Sequence, residues 1–160
     1  MVKLGQEGFD FILKDKQGKE IQLAKIKADY IVVYFYPKDS TPGCTLEANT
    51  FNELLPEFKK LKTEVIGISG GDEKSKEKFS KKYGLKLTLL SDPEFFISRQ
   101  YYVYGEKKFL GKTFMGIKRT TFILDKNKKF IKIYENVKPD NHAKEVLTFI
   151  TELKRPKRRF

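Results

Sequence analysis

Cysteine is nearly absent from this chain of 160 residues, which contains a single one, Cys44. One cysteine cannot form a disulfide within the chain, so the sequence excludes the disulfide-stabilised class of small secreted domains and is typical of a reducing compartment. Long apolar runs are also missing, because no stretch approaches the ~20 apolar residues that a membrane-spanning helix needs. Residues 1–8 lack the apolar core of a signal peptide. We therefore expect a cytoplasmic protein that does not enter a membrane.

Metal-binding and phosphate-binding patterns are absent as well. No group of histidines, cysteines and carboxylates has the spacing of metal ligands, and no glycine-rich phosphate loop occurs. His142 is the only histidine and is far in sequence from Cys44, which argues against a cysteine–histidine catalytic pair. The sequence predicts neither a metal nor another cofactor. Without repeats, linkers or low-complexity tracts, residues 1–160 are expected to form one domain.

Negative charge is in short supply, because 21 Asp and Glu face 33 Lys and Arg and the net charge is +12. Such a surplus can attract nucleic acid or an acidic partner, and residues 154–160 form a basic C-terminal tail. No nucleic-acid-binding motif accompanies the charge, and most lysines fall where a solvated surface is the default. A nucleic-acid-associated protein therefore remains an alternative interpretation.

The chain is organised around Cys44. Residues 30–36 form an apolar run of strand length, turn residues follow, and helix-forming residues begin after them. Thr41 is a candidate N-cap, and Pro42 suits the first helical position because its missing N–H costs nothing there. Cys44 then lies in the first helical turn, where unpaired backbone N–H groups and the helix dipole stabilise a thiolate. The sequence thus predicts a reactive sulfur, with a small buried cysteine as the alternative.

Strand and helix patterns alternate along the rest of the chain. The predicted strands occupy residues 9–13, 19–23, 65–68, 87–90, 120–124 and 130–134, and the predicted helices begin near Cys44, Ser69 or Asp72, Pro93, and Asp140 or Asn141. Pro56 should kink the first helix or start a second one, and residues 105–116 are expected to be irregular. This order predicts an α/β domain with a mixed central sheet flanked by helices and an N-terminal β-hairpin.

Residues 35–48 resemble the active-site segment of peroxiredoxins, and they are most similar to the bacterioferritin-comigratory-protein or PrxQ subfamily. The pattern Pro-x-x-x-Thr-x-x-Cys appears as Pro37, Thr41 and Cys44. Further similar segments cover residues 64–69, 89–93, 115–125 and 137–139. The resemblance implies a thioredoxin-like fold, and it favours a monomer. It also implies a thiol-dependent peroxidase that reduces hydrogen peroxide and alkyl hydroperoxides.

The resemblance implies roles for individual residues. Cys44 matches the peroxidatic cysteine, which attacks the peroxide bond and becomes a sulfenic acid. Thr41 matches the threonine that holds the peroxide, Arg119 matches the arginine that stabilises the thiolate and the developing charge, and Pro37 matches the proline that shields the pocket. Glu47 either orients Arg119 or is an ordinary first-turn acid favoured by the helix dipole.

A resolving cysteine is missing, and here the chain departs from the family pattern. Many members carry one five residues after the peroxidatic cysteine or on the following helix, where this chain has Asn49 and, less closely, Ser80. The sulfenic acid at Cys44 must then be reduced by an external thiol, either thioredoxin or glutaredoxin with glutathione. A redox sensor that traps a partner through oxidised Cys44 is a further alternative function.

Overall fold

Nine β-strands and five α-helices occur in residues 2–156, the part of the chain that the computed structural model describes. The strands are β1 (Ile12–Lys14), β2 (Glu20–Gln22), β3 (Tyr30–Phe35), β4 (Thr63–Ser69), β5 (Thr88–Ser91), β6 (Tyr104–Phe109), β7 (Lys112–Ile117), β8 (Thr120–Asp125) and β9 (Phe130–Tyr134). The helices are α1 (Pro42–Glu53), α2 (Leu55–Lys60), α3 (Glu73–Tyr83), α4 (Phe96–Gln100) and α5 (His142–Lys154), and a 3₁₀ turn spans Leu23–Lys25.

Seven of the strands form one mixed sheet in the order β2-β1-β5-β4-β3-β8-β9. β3 lies between β4, which is parallel to it, and β8, which is antiparallel. β4 and β5 are also parallel, whereas β1 pairs antiparallel with β2 and β5. This architecture confirms the predicted α/β domain with a mixed central sheet, flanking helices and an N-terminal strand pair.

Both faces of β3 are buried, which explains why its sequence is a continuous apolar run. Because side chains alternate along a strand, Val32 and Tyr34 point to the core that α1, α2, α3 and α5 cover. Ile31, Val33 and Phe35 point to the opposite core, which α4 and aromatic side chains of β8 and β9 complete. A strand covered on both sides holds its own C-terminal end, where the loop towards α1 begins, in a fixed position.

Helix boundaries follow local signals in the sequence. Pro56 lies in the first turn of α2, so it starts a second helix, which is one of its two predicted effects. Asp72 caps α3 by accepting a hydrogen bond from the Ser75 N–H, and Gly84 ends α3 in the left-handed conformation with a φ of 63°. Asn141 precedes α5, but its side chain makes no capping bond.

Residues 105–116 are not irregular, and here the prediction from sequence was wrong. They belong to the β6–β7 hairpin, a separate two-stranded antiparallel sheet. Its turn contains Leu110 and Gly111, which both have positive φ (51° and 76°), as type I′ hairpin turns require. Most side chains of the hairpin are exposed, so its strands lack the apolar alternation by which a half-buried strand is recognised.

Among residues 2–156, no helix combines the length and the apolar composition that crossing a bilayer requires. The predicted basic tail, residues 154–160, falls largely outside the described residues. Its first residue, Lys154, belongs to α5, and its ammonium lies 2.7 Å from Asp29 Oδ2. The tail therefore begins on the folded domain.

We predict that Gly67→Ala destabilises the protein by about 1–3 kcal/mol, the usual range for overpacking a core. A Cβ at Gly67, in the middle of β4, would come within 2.7 Å of Tyr34 and 2.8 Å of Leu89 side-chain atoms. Gly105→Ala is the matched control, because a Cβ there would meet nothing closer than 3.6 Å. Urea denaturation measures both changes, and equal stability of the two variants would contradict this packing.

Candidate active site

The turn between β3 and α1 delivers Cys44 to the end of the sheet. Pro42 is the first residue of α1, and Thr41 is the N-cap, with the extended backbone typical of that position (φ −81°, ψ 153°). Cys44 follows in the same helical turn and is only 1% exposed. The sulfur therefore lies beside backbone N–H groups that have no partner within the helix.

The Thr41 hydroxyl does not cap the helix in the usual way. It donates a hydrogen bond to the Lys38 carbonyl oxygen at 3.0 Å and makes no bond to an N–H of α1. The N–H groups of Gly43 and Cys44 are therefore not engaged by this side chain, and the helix dipole favours negative charge at this end. Thr41 is the N-cap residue, as the sequence suggests, but the capping bond expected of its side chain is absent.

Arg119 lies between β7 and β8, and its guanidinium bridges two groups of α1. Its Nη2 lies 3.2 Å from Cys44 Sγ, and its Nη1 lies 3.1 Å from Glu47 Oε1. The pairing of Phe35 with Thr120 sets this position, because it places the residue before β8 next to the loop after β3. The rigid fork of the guanidinium thus holds the sulfur and the carboxylate in one arrangement.

Gly43 makes room for the guanidinium. A Cβ at this position would come within 2.7 Å of Arg119 Nη2 and 3.4 Å of Pro139 Cγ. The segment that contains Pro139 also holds the backbone of Arg119, because the Val137 N–H donates to the Arg119 carbonyl oxygen at 3.1 Å. The close approach of arginine to sulfur therefore requires glycine at position 43, which the spacing of the motif alone did not reveal.

Glu47 lies one turn after Cys44 and is only 1% exposed. Burial raises the pKa of Glu47 to about 7, because the loss of water outweighs the attraction and the hydrogen bond of Arg119. Of the two interpretations that the sequence left open, the contact favours the one in which Glu47 orients Arg119. The carboxyl group can therefore change its charge near neutral pH, and its hold on the guanidinium changes with it.

A second buried polar cluster joins the loop before α1 to α3. Asp39 accepts hydrogen bonds from two hydroxyl groups, those of Tyr36 and Ser75, at 2.6 Å each. It also pairs with the Lys76 ammonium at 2.8 Å, which in turn donates to the Gly70 carbonyl oxygen at 2.6 Å. Burial lowers the pKa of Lys76, and the charge of Asp39 opposes that shift. The cluster ties the loop that leads to Cys44 to the first turn of α3.

This cluster was not predicted from the sequence, although one signal points to it. Lys76 shares a helical face with Phe79, Ser80 and Tyr83, which follow it at the spacing of an amphipathic helix. A lysine in the middle of a buried face requires an anion nearby, because an unpaired charge is too costly to bury. Asp39 supplies that anion from the loop.

The remaining residues of interest fall into three places. Pro37 follows β3 and is half-buried in the loop before α1. Ser80 is buried on α3, and its hydroxyl has no partner among the described residues. His142 belongs to the core, where its ring nitrogens bond Thr121 (2.8 Å) and Glu145 (3.0 Å). Within residues 2–156, no group of three or more His, Cys, Asp or Glu side chains is arranged to hold a metal.

Known proteins that are similar to this chain show the class to which the chain belongs. The AhpC/TSA family model matches residues 4–133. The chain is 38% identical over 152 residues to the peroxiredoxin Bcp of Bacillus subtilis, a match that covers 95% of this chain and 97% of that protein. The bacterioferritin comigratory protein of Xanthomonas campestris superposes with a TM-score of 0.87 at 36% identity, covering 97% of this chain and 99% of that one. A mutant of PrxQ from Xylella fastidiosa superposes with a TM-score of 0.91 at 29% identity, with coverage of 97% and 99%.

The chain therefore belongs to the AhpC/TSA family. Within that family it is a peroxiredoxin of the Bcp and PrxQ type, and its relatives confirm the predicted thioredoxin-like fold. They also confirm the predicted activity, that of a thiol-dependent peroxidase. These matches give no support to the two alternatives, a nucleic-acid-associated protein and a redox sensor.

Glu47→Gln should change how stability depends on pH. In the wild type, the native state binds more protons than the unfolded chain between pH 4.5 and about 7, because burial raises the pKa of Glu47 from 4.5 to about 7. The free energy of unfolding therefore falls as pH rises through this window, by up to about 3 kcal/mol. The variant lacks this contribution. Urea denaturation at a series of pH values from about 4 to about 8 measures the difference.

The matched control is Glu53→Gln, which removes an exposed carboxyl group from the same helix. Parallel pH profiles for wild type and Glu47→Gln would show that the buried carboxyl does not titrate in this window, contrary to the prediction.

Lys76→Met should destabilise the protein by about 3–5 kcal/mol, because it leaves Asp39 buried without its cation. The double variant Asp39→Asn/Lys76→Met should be less destabilised, since no buried charge remains. Lys78→Met, at an exposed position of the same helix, is the control and should change stability by less than about 0.5 kcal/mol. Urea unfolding compares the three, and a double variant no more stable than Lys76→Met would contradict the proposed pairing.

Proposed function

We propose that Cys44 is the peroxidatic residue of this peroxiredoxin and that Thr41, Arg119 and Pro37 complete its substrate site. The observation that carries the proposal is the 3.2 Å contact between Arg119 Nη2 and Cys44 Sγ at the buried start of α1. The chain has no other cysteine, so the thiol chemistry of the family has a single candidate nucleophile.

The Cys44 thiolate attacks one oxygen of a hydroperoxide. A sulfur–oxygen bond forms, the oxygen–oxygen bond breaks, and the departing hydroxide or alkoxide takes up a proton and leaves as water or an alcohol. Cys44 is oxidised to the sulfenic acid, and the peroxide is reduced by two electrons. Because negative charge moves from the sulfur to the leaving oxygen, donors near both positions lower the barrier.

The donors around Cys44 suit this movement of charge. The Arg119 guanidinium already contacts the sulfur and offers several donors in a rigid fork, so it can stabilise first the thiolate and then the leaving oxygen. The N–H groups of Gly43 and Cys44, which the Thr41 hydroxyl does not engage, can donate to the bound peroxide. Thr41 is half-buried at the helix start, and its hydroxyl can both donate and accept. Pro37 shapes the loop without adding a backbone donor.

A thiol from outside the chain returns Cys44 to its reduced form. The sulfenic acid condenses with that thiol to give a mixed disulfide and water, and a second thiol then releases Cys44 and forms the departing disulfide. Thioredoxin, or glutaredoxin with glutathione, fits this role. Asn49 and, less closely, Ser80 match the positions of the family's resolving cysteine, and the chain has no second cysteine, so no internal thiol competes with excess peroxide. We therefore expect Cys44 to be driven on to the sulfinic acid when peroxide is abundant.

Hydrogen peroxide and alkyl hydroperoxides are the proposed substrates. The matched Xanthomonas campestris protein has alkyl peroxide reduction activity. The attack described above involves only the O–O–H end of the substrate, so the same residues serve both kinds of peroxide.

We further propose that residues 1–160 form one domain, that the protein acts as a monomer, and that it works in the cytoplasm. The seven-stranded sheet contains both the first strand, β1, and the last described strand, β9, and it has a continuous core on each face. These features support one domain. A chain with one cysteine suits a reducing compartment.

Peroxide consumption with dithiothreitol as a neutral reductant tests the assignment. Wild type should turn over, whereas Cys44→Ser should fall to the background rate, because serine supplies no thiolate. Arg119→Lys keeps the charge but loses the planar fork, and we expect a loss of about tenfold or more in kcat/KM for the peroxide.

Arg155→Lys is the matched control, since it makes the same substitution at an exposed arginine after α5. It should leave kcat/KM unchanged. Equal, background-level consumption by wild type and Cys44→Ser would overturn the proposed function.

A further inference from the structure

The β6–β7 hairpin carries an exposed surface that the peroxidase chemistry does not use. Phe109, Leu110, Phe114 and Met115 are all exposed, and Leu110 at the turn is 86% exposed. Apolar side chains scattered singly over a surface need no explanation. Phe109 and Phe114 share one face of the hairpin and Leu110 lies at its turn, whereas Met115 lies on the opposite face. The first three form a patch of the kind that marks an interaction site.

Positive charge accompanies this patch. Residues 104–118 contain four lysines and a single acidic residue, Glu106. Lys108 and Lys112, which are exposed near the tip, form no ion pair with another of the described residues 2–156. An apolar patch bordered by uncompensated lysines is complementary to a partner surface that is apolar and acidic.

The base of the hairpin is anchored, although within residues 2–156 its strands pair only with each other. Tyr104 stacks on Phe95 with ring centroids 4.5 Å apart, and the Arg99 guanidinium lies 5.0 Å from the centroid of the Tyr104 ring. Ile117, at the end of β7, is fully buried. A two-stranded hairpin is marginally stable alone, so these contacts hold its base while the apolar tip projects.

The hairpin also lies beside the active site. β7 ends at Ile117, two residues before Arg119, and the Lys107 ammonium donates to the Ile117 carbonyl oxygen at 2.9 Å. Partial burial lowers the pKa of Lys107, the Arg119 guanidinium lowers it further, and the charge of Cys44 opposes both, as expected for groups close in space.

One face of the hairpin leads from the active site to the tip. Lys107 pairs with Phe114 and Phe109 pairs with Lys112, so these four side chains share a face. The stem of Lys107 passes Gly116, where a Cβ would come within 3.3 Å of Lys107 Cδ. The hairpin surface is defined here as the side chains of this face and of the turn, together with the neighbouring Lys108, which lies on the other face of β6: Lys107, Lys108, Phe109, Leu110, Lys112 and Phe114.

We propose that the hairpin surface is the docking site for the reductant of Cys44 and that this reductant is an acidic dithiol protein with an apolar surface around its thiols. The inference rests on the proposed function, which requires an external thiol. A small thiol would reach the sulfur without using a surface that extends to the hairpin tip. A second copy of this chain is disfavoured, because each copy carries a charge of +12.

Docking of such a protein completes the reductive half of the cycle. One partner thiol condenses with the Cys44 sulfenic acid, which forms a mixed disulfide and releases water. The second partner thiol then attacks the partner's own sulfur in that disulfide, so Cys44 leaves as a thiolate and the partner leaves as an internal disulfide. Both steps require the partner to stay in place, which a fixed surface beside Cys44 provides.

Steady-state peroxide turnover, measured with a thioredoxin of net negative charge and separately with dithiothreitol, tests the proposal. Lys108→Glu/Lys112→Glu should lower kcat/KM for the thioredoxin by about tenfold or more and leave the dithiothreitol rate at the wild-type level. Phe109→Ser/Leu110→Ser should also lower kcat/KM for the thioredoxin, through lost apolar contact. In the wild type, added salt should slow turnover with the thioredoxin and not with dithiothreitol.

The matched control is Lys27→Glu/Lys59→Glu, which removes the same charge from exposed lysines near the opposite end of β3. It should leave both rates unchanged. If both charge variants lost kcat/KM for the thioredoxin equally, net charge alone would explain the effect, and the proposed docking site would be overturned. Hairpin variants that keep full turnover with the thioredoxin, even if they lose binding to DNA or to anionic vesicles, would overturn it too. Failure of the wild type with dithiothreitol would instead overturn the proposed function.

Discussion

The contact between Arg119 and Cys44 is the constraint on which the rest of this structure depends. The sulfur sits on a helix and the guanidinium precedes a strand, and 75 residues separate them in sequence. Three features bring them together: the register of β8 on β3, the missing side chain at Gly43 and the carboxyl group of Glu47. Each of these features restricts where the guanidinium can lie, so both its distance from the sulfur and its orientation are fixed.

Two buried ion pairs lie at the same end of the sheet as this contact, and they have different structural roles. Ion pairs of this kind contribute little stability compared with apolar side chains of the same volume, so stability does not explain them. Position does. The pair of Glu47 with Arg119 orients the guanidinium, and the pair of Asp39 with Lys76 fixes the loop between β3 and α1 to α3. Both lie beyond the C-terminal ends of the parallel strands β3 and β4, where α/β proteins commonly place their chemistry.

How much the sequence could predict depended on whether a feature was local. The apolar runs of β3, β8 and β9 predicted the sheet, and the strand–turn–helix pattern placed Cys44 in the first helical turn without any knowledge of its neighbours. Arg119 was found only through the family resemblance, since a single arginine before a strand carries no local signal. The β6–β7 hairpin was missed because its side chains face water, and the burial of Lys76 was missed because its anion comes from a distant loop. Features that arise from contacts between distant segments leave no period or spacing to detect.

The pairing of β8 with β3 has a consequence for the order in which the molecule is made. Cys44 leaves the ribosome well before Arg119, and the strand that carries the arginine into place is the second last of the nine strands in residues 2–156. A growing chain therefore holds its sulfur without the guanidinium, and the two meet only when the C-terminal strands have joined the sheet. The contact between the guanidinium and the sulfur is in this sense a property of finished molecules, because it exists only in chains that have completed the sheet.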